Sequence, residues 1–327
     1  MEILSSRPVI AVVVCTHNRS HLLERTLASL VHQTFPADRR EIIVVDDGST
    51  DDTRRVADRF SQTVPGVTII HQTNAGLGAA RNTGWRTAQA PLVAFLDDDA
   101  VAPPDWLTDV TRGFAAAEER LAVLGGPIDP EWESPPPAWL TRELQVWLTV
   151  FDLGSEPIFT REQAVFGGAN MALRTCALKD AGGFPEDLGR RGQSLLSHEE
   201  SELWSRLAAR GWINAYLPGL RVKHFTPTSR MTPAWFRRRL FWEGISVARR
   251  ETWPEEMPWA RGVRRCLGYG LRRIASREFV LPLLRPWSWR RDVGWQTYCA
   301  YHFGYLRETL SRLGGYRRDY ASRSDRN

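Results

Sequence analysis

The sequence predicts an α/β protein: a mostly parallel sheet with helices on both faces, followed by a basic helical extension. Three observations carry that prediction. Short apolar runs rich in Val and Ile alternate with stretches of helical spacing through the first third of the chain. Polar and acidic residues collect just after three of those runs, where open parallel sheets bind their ligands. The charge also divides unevenly. Within a formal net charge of +5, residues 230–327 contribute +12, from 21 Arg, no Lys and 9 acidic residues. The residues before them are therefore net acidic, and an acidic body with a basic, Trp-rich tail points to two jobs.

The elements follow in order. Residues 9–15 read as the first strand and 20–32 as the first helix. Ile42-Ile43-Val44-Val45 is the second strand, 51–60 a helix, and 67–70 a third short strand. A helix over 76–88 leads to a fourth strand over 92–96. The Pro-rich stretch DPEWESPPPAWL, 129–140, reads as a surface loop. A Trp-containing segment over 144–151 and the strand of VFGGANMALR come next, then helices from Thr175 and over 199–210. Strands over 213–217 and 220–224 close the body. Beyond Thr232-Pro233 the chain reads as helical and Arg-rich, with 321–327 a frayed tail.

At 327 residues and 43% apolar, the chain can bury the core of one large domain with an appendage. Its four cysteines are far apart, with no C-x-x-C pair, which argues against a disulfide framework or a zinc knuckle and for reduced thiols in a cytoplasm. The first apolar run ends in Thr16-His17-Asn18 without a small-residue cleavage site, so it reads as a strand and not a signal peptide. No stretch reaches the roughly 18 apolar residues of a spanning helix.

FLDDDA, 95–100, sets three carboxylates at the end of an apolar run. Such groups repel one another and resist burial. A hard cation offsets the repulsion and leaves coordination positions for phosphate oxygens. The alternative for Asp97-Asp98-Asp99 is a solvated acidic turn. Asp46-Asp47-Gly48-Ser49 is likewise open to two readings, a ligand contact or a turn that caps a helix.

VVVCTHNR (12–19), VVDDGSTD (44–51), NAGLGAARNTG (74–84) and FLDDDA occur in this order, each at a strand end or helix start. GGANMALR (167–174), GGFPEDLG (182–189) and SHEESELWSRLAARGW (197–212) continue it. The set resembles the inverting GT-A glycosyltransferases of glycosyltransferase family 2, over about residues 8–250. The resemblance implies a Rossmann-like GT-A domain over 1–229, with a nucleotide-binding half over 1–125 and an acceptor half over 126–229; 230–327 is the extension. It implies a nucleoside-diphosphate-sugar donor (UDP, GDP or dTDP) bound by Thr16, Asn18, Arg19, Asp46, Asp47, Arg81, Asp97, Asp98, Gly168, Asn170 and Arg230. It implies Mn²⁺ or Mg²⁺ held by Asp99 with Asp97 and His224. The family's D-x-D pattern here has an extra carboxylate, Asp98, in its middle.

By the same resemblance Glu200 is the general base, with Glu199 the fallback. A glutamate replaces the commoner aspartate. An acceptor hydroxyl needs such a group to take its proton as it attacks the anomeric carbon. Ser197-His198-Glu199-Glu200 also spells a capping box, in which Glu200 would fold back on the backbone N–H of Ser197. His224 has the rival reading of a hydrogen-bonded structural histidine, and Arg81 that of a salt-bridge partner.

Two other classes fail on the letters. A haloacid-dehalogenase phosphatase needs an aspartate where Val45 stands, and a nucleotidyltransferase needs glycines where CTHNRSH stands. The Q-x-x-R-W motif of processive synthases is missing, so transfer of a single sugar is expected, in cell-envelope, polysaccharide or glycolipid synthesis. The competing function is a catalytically silent GT-A-like protein that binds a nucleotide or a membrane; it would be expected to lose Asp99 or Glu200, and both are present. The Trp/Phe and Arg pattern of 235–251 reads as helix packing, or as a surface helix on anionic lipid; nucleic acid is not expected as a partner. The acceptor hydroxyl is not named by the sequence. The protein is expected in the cytoplasm, with a possible anionic membrane contact through residues 230–320 at the inner face of the cell membrane.

Overall fold

A computed structural model describes residues 7–161, 167–251, 259–283 and 292–324. Val165, Phe166, residues 252–258 and 284–291 of the expected helical tract and residues 325–327 of the expected tail lie outside the described residues. The chain divides into two compact units. The first comprises Met1–Pro136, Leu140–Gly192 and Glu199–Thr228; the second comprises Pro137–Trp139, Gln193–His198 and Ser229–Asn327.

The first unit is built on an eight-stranded sheet. Its strands are β1 (Ile10–Thr16), β2 (Arg40–Asp46), β3 (Val67–His71), β4 (Leu92–Leu96), β6 (Leu121–Gly125), β8 (Ile158–Thr160), β9 (Asn170–Arg174) and β10 (Ile213–Tyr216). Their order is β3-β2-β1-β4-β9-β6-β10-β8. Only β9 and the edge strand β8 run against the rest. The expected mostly parallel α/β architecture is therefore present. A second, three-stranded sheet joins β5 (Ala100–Val101), β11 (Val222–Thr226) and β7 (Ile128–Trp132) in the order β5-β11-β7.

Strand periodicity sorts the side chains onto two faces. Ile10, Val12 and Val14 of β1 face α1 (Ser20–Val31), α2 (Thr53–Thr63) and α4 (Trp106–Ala115), through Leu23, Leu27, Val56, Leu107 and Val110. Ala11 and Val13 face the opposite way, into a core that holds Ala80, Leu178 and Leu203 from α3 (Leu77–Thr87), α6 (Thr175–Ala181) and α7 (Glu199–Ala209). Helices thus cover both faces, and the polar strand ends are left at one edge. A short helix, α5 (Arg142–Gln145), and a 3-10 turn over Val146–Leu148 form the Trp-containing segment.

Two sequence expectations change, and one gains detail. The Pro-rich stretch is not wholly a loop, because its first residues form β7, paired in parallel with β11. Pro130 is tolerated there on an outer strand of the small sheet, where no ladder partner needs its missing N–H. The two strands read as successive, β10 and β11, belong to different sheets. The frayed tail begins later than predicted, since helix runs to Ser324.

The second unit is helical: α8 (Pro233–Arg250), α9 (Trp259–Ile274), α10 (Arg277–Leu283) and α11 (Val293–Ser324). Thr232 caps α8 by accepting from Trp235 N–H at 3.2 Å, with Pro233 at the first helical position. α8 packs along α11. The two helices come close because Gly244 faces the backbone of Tyr301 and Tyr305, and Gly304 faces the carbonyl of Phe241. Among the described residues, no helix is long and apolar enough to cross a membrane.

Candidate active site

Pairing register assembles the site. In the small sheet His224 lies opposite Ala100, and Phe225 N–H donates to the Asp99 carbonyl at 2.8 Å. That register sets His224 Nε2 3.0 Å from Asp99 Oδ1, with both side chains buried. Asp97, Asp99 and His224 each turn one ligand atom inward, all within 4.8 Å of one another. Thr16, at the end of β1, donates to Asp98 Oδ2 at 2.7 Å, and Arg19 Nη1 donates to Asp99 Oδ2 at 2.8 Å.

The other half of the site comes from pairing of β4 with β9. Leu96 is opposite Asn170, which brings the 167–169 turn alongside Asp97. Arg81, on α3, reaches into this place and is almost fully buried. Its Nη1 donates to Glu199 Oε1 at 3.0 Å and to Glu200 Oε1 at 2.8 Å, and its Nη2 lies 3.5 Å from Asp97 Oδ1. Gly168 leaves room for this cluster, since a Cβ there would overlap Glu200 Oε1 and crowd Arg81 Nη2. One guanidinium therefore ties the predicted base to a predicted metal ligand.

The electrostatics separate the two glutamates. Burial, then the Glu200 charge, push the Glu199 carboxyl up to about 8, although Arg81 pulls it down. Burial also works against ionised Glu200, but Arg81 and the helix-start N–H outweigh it and hold that carboxyl below its ordinary value. Glu200 is thus the carboxylate and Glu199 the neutral acid at neutral pH. Glu199 is almost fully buried and its Oε2 finds no hydrogen-bond partner among the described residues, whereas the Glu200 side chain is 19% exposed. Burial opposes the charge of Arg81, yet its acidic neighbours, Glu200 first, hold it protonated. Burial raises the Asp98 carboxyl to about 6 despite nearby Arg19. The capping-box reading of Ser197 fares poorly: within the second unit its N–H donates to Ser246 Oγ at 3.1 Å and its hydroxyl to Glu243 at 2.8 Å.

Several expected donor contacts have local employment. Asp46 accepts from Ser49 N–H at 2.9 Å and pairs with His71 Nδ1 at 2.9 Å. Asp47 accepts from Gln72 Nε2 and from the N–H groups of Ala75 and Gly76, so it holds the entry to α3. Asn18, at φ 55°, accepts from Thr50 N–H at 2.8 Å and fixes the neighbouring loop. Asn170 is not brought to the cleft. It is buried, donating to the Pro127 and Leu220 carbonyls and accepting from Trp106 Nε1. Arg230 belongs to the second unit. His71 was missed. It bridges Asp46 and Asp58 at 2.9 Å each, and the signal was its place at the end of β3, one residue beyond the predicted strand.

The fold is that of a GT-A sugar transferase. The family model described as "Glycosyl transferase family 2" matches residues 11–180, more than half of the chain, and the protein belongs to that family of enzymes. The chain is 28% identical over 240 residues to the glucosyl-dolichyl phosphate glucuronosyltransferase of Haloferax volcanii, covering 72% of this chain and 75% of that one. It is 39% identical over 120 residues to a validoxylamine A glucosyltransferase of Streptomyces hygroscopicus, covering 36% of this chain but only 28% of the relative. A mannosyltransferase of Pyrobaculum calidifontis, solved with GDP-Man and Mn²⁺, superposes with a TM-score of 0.60 at 22% identity, over 94% of this chain and 87% of that one.

Proposed function

We propose that the enzyme moves one sugar from a UDP-, GDP- or dTDP-sugar to an acceptor hydroxyl with inversion, using Glu200 as base. The observation that carries this reading is Arg81, which contacts Glu200 at 2.8 Å and Asp97 at 3.5 Å and so joins the proton acceptor to the carboxylate cluster. Two carboxylates and an imidazole form a donor set that suits Mn²⁺ or Mg²⁺. The buried Asp99–His224 pair fits the same role. Held by Asp97, Asp99 and His224, such an ion would act as a Lewis acid toward the departing diphosphate.

The chain's own groups have distinct tasks. Glu200 is ionised and partly exposed, so it can accept the hydroxyl proton as the oxygen attacks the anomeric carbon. Arg81 fixes the orientation of that carboxylate and lowers its basicity, a trade that favours the correct protonation state at neutral pH. A single base on the acceptor side gives inversion without a covalent intermediate. The Haloferax relative is named for glucosyl-dolichyl phosphate, and we place this acceptor too among cell-envelope or glycolipid intermediates. The corresponding location is the cytoplasmic face of the cell membrane.

The test is transfer from a panel of nucleotide sugars with Mn²⁺ or with chelator, for wild type and Glu200→Gln. Chelation should stop transfer, and the variant should lose about 10²–10⁴ in rate while binding donor as before. Unchanged turnover in the variant would remove Glu200 from the mechanism.

A further inference from the structure

The 235–251 tract, read as helix packing or as a surface helix on lipid, falls almost wholly in α8, which is largely an internal helix of its unit. Phe236, Leu240 and Ile245 are buried, and α8 packs along α11. The exposed apolar surface lies elsewhere. On α9, Leu267, Leu271 and Ile274 are 61%, 68% and 58% exposed. Their spacing of four and then three residues puts them on one face of the helix. Phe303 of α11 is 66% exposed. Ile274 and Phe303 also line a groove of about 570 Å³ whose walls include Phe279, Trp295 and Leu306, with Arg237 and Arg273 beside them.

Charge decides what such a face can meet. The α9 sequence holds five arginines and no acidic residue. Arg261, Arg264 and Arg272 are exposed. By helical spacing Arg264 borders the apolar stripe, and Arg261 and Arg272 follow it on the same flank. A second copy of the chain packed by two-fold symmetry would set these arginines against their own kind, with no carboxylate on α9 to offset them. A nucleic acid would satisfy the arginines and leave the leucines in water. An anionic bilayer satisfies both, because acyl chains take the apolar stripe and headgroup phosphates take the guanidinium groups.

We propose that α9, with the exposed apolar residues beside it, is an interfacial face that docks the enzyme on anionic lipid. The inference rests on the membrane location proposed above and uses nothing from the catalytic assignment, so a binding assay and a transfer assay can fail independently. The full-length protein is floated with phosphatidylcholine vesicles, with and without a third of phosphatidylglycerol. Binding to the anionic vesicles should be stronger by about tenfold or more, and should weaken as salt screens the arginines. Leu267→Glu/Leu271→Glu should abolish flotation, with cooperative thermal unfolding retained as the check on folding. Arg264→Gln/Arg272→Gln, which alters only exposed side chains, should weaken anionic binding by about tenfold and leave neutral binding unchanged. Equal binding to both vesicle types, or unaltered binding by the arginine variant, would overturn the proposal. So would a dimer in sedimentation that the leucine variant splits and that never floats; the face would then belong to a second copy.

Discussion

Gly168 carries no side chain where Glu200 needs the space. A methyl group at this turn would overlap Glu200 Oε1 and press on Arg81 Nη2, so Gly168→Ala should lower the transfer rate by about tenfold or more, as a misplaced base does, with donor KM little changed in steady-state assays. An unaltered rate would show that the carboxylate has room to move. The two glutamates predict opposite outcomes. Because Glu199 is held in its neutral form, glutamine is its near replica, and Glu199→Gln should stay within a few-fold of wild-type activity while Glu200→Gln does not. The pH sign follows. Native Glu199 keeps its proton up to about 8, while the unfolded chain releases it near 4.5, so native stability falls across that interval. The stability of Glu199→Gln relative to wild type should therefore rise over the same window, measured by thermal unfolding. Part of this was legible in the sequence, since Asp97, Asp99 and Glu200 stand at a strand end or helix start and Arg81 and His224 fall within the span that carries the family resemblance. The division of labour was not. Nothing in the letters says that Asp47 serves the N–H groups of Ala75 and Gly76, or that Asn170 is spent on carbonyls across the core. Those tasks depend on distant residues and on which loop needs an acceptor.

At the scale of elements, periodicity identified β1 to β4 and α1 to α3 well, because each buries one face and alternates or repeats accordingly. It failed at β7, where Pro-rich composition hid an outer strand paired along its length with β11. It also failed to separate α8 from α9, since both mix arginine with large apolar residues. What distinguishes them is a polar device inside α8. Buried Glu243 accepts from Ser197 Oγ at 2.8 Å and Arg239 Nη1 at 2.9 Å, and lies 2.6 Å from His198 Nε2. Burial alone would raise its carboxyl, but His198, Arg239 and Ser197 hold it at about 2. A depressed carboxyl stabilises the fold above the unfolded value of 4.5 and loses that contribution as pH falls toward 2. Glu243→Gln should therefore cost about 3 kcal/mol at neutral pH. In urea unfolding, the gap to wild type should close as the medium is acidified through that range. A gap that stays constant with pH would mean the network acts by shape and not by charge.

At the scale of the molecule, the site has a charge problem that only its ligands can solve together. Asp97, Asp98, Asp99 and Glu200 are gathered around two arginines, Arg19 and Arg81, both already engaged by those carboxylates. A nucleoside diphosphate brings further negative charge to the same place. At such distances the repulsion is worth several kcal/mol at a protein surface, so diphosphate binding should require a divalent cation to enter with it. The consequence is measurable on the whole protein without turnover. Ligand present at a hundred times its Kd stabilises the folded state by about 2.7 kcal/mol, which for a unit of this size raises Tm by roughly 5–11 °C. Mn²⁺ with UDP or GDP should produce that rise, nucleotide with chelator should produce little, and Asp99→Asn should remove the metal-dependent part. The base that gives the larger shift names the donor class. An equal rise with chelator present would mean that Arg19 and Arg81 leave the carboxylates to greet the phosphates unaided, and the cation would lose its place in the mechanism while Glu200 kept its own.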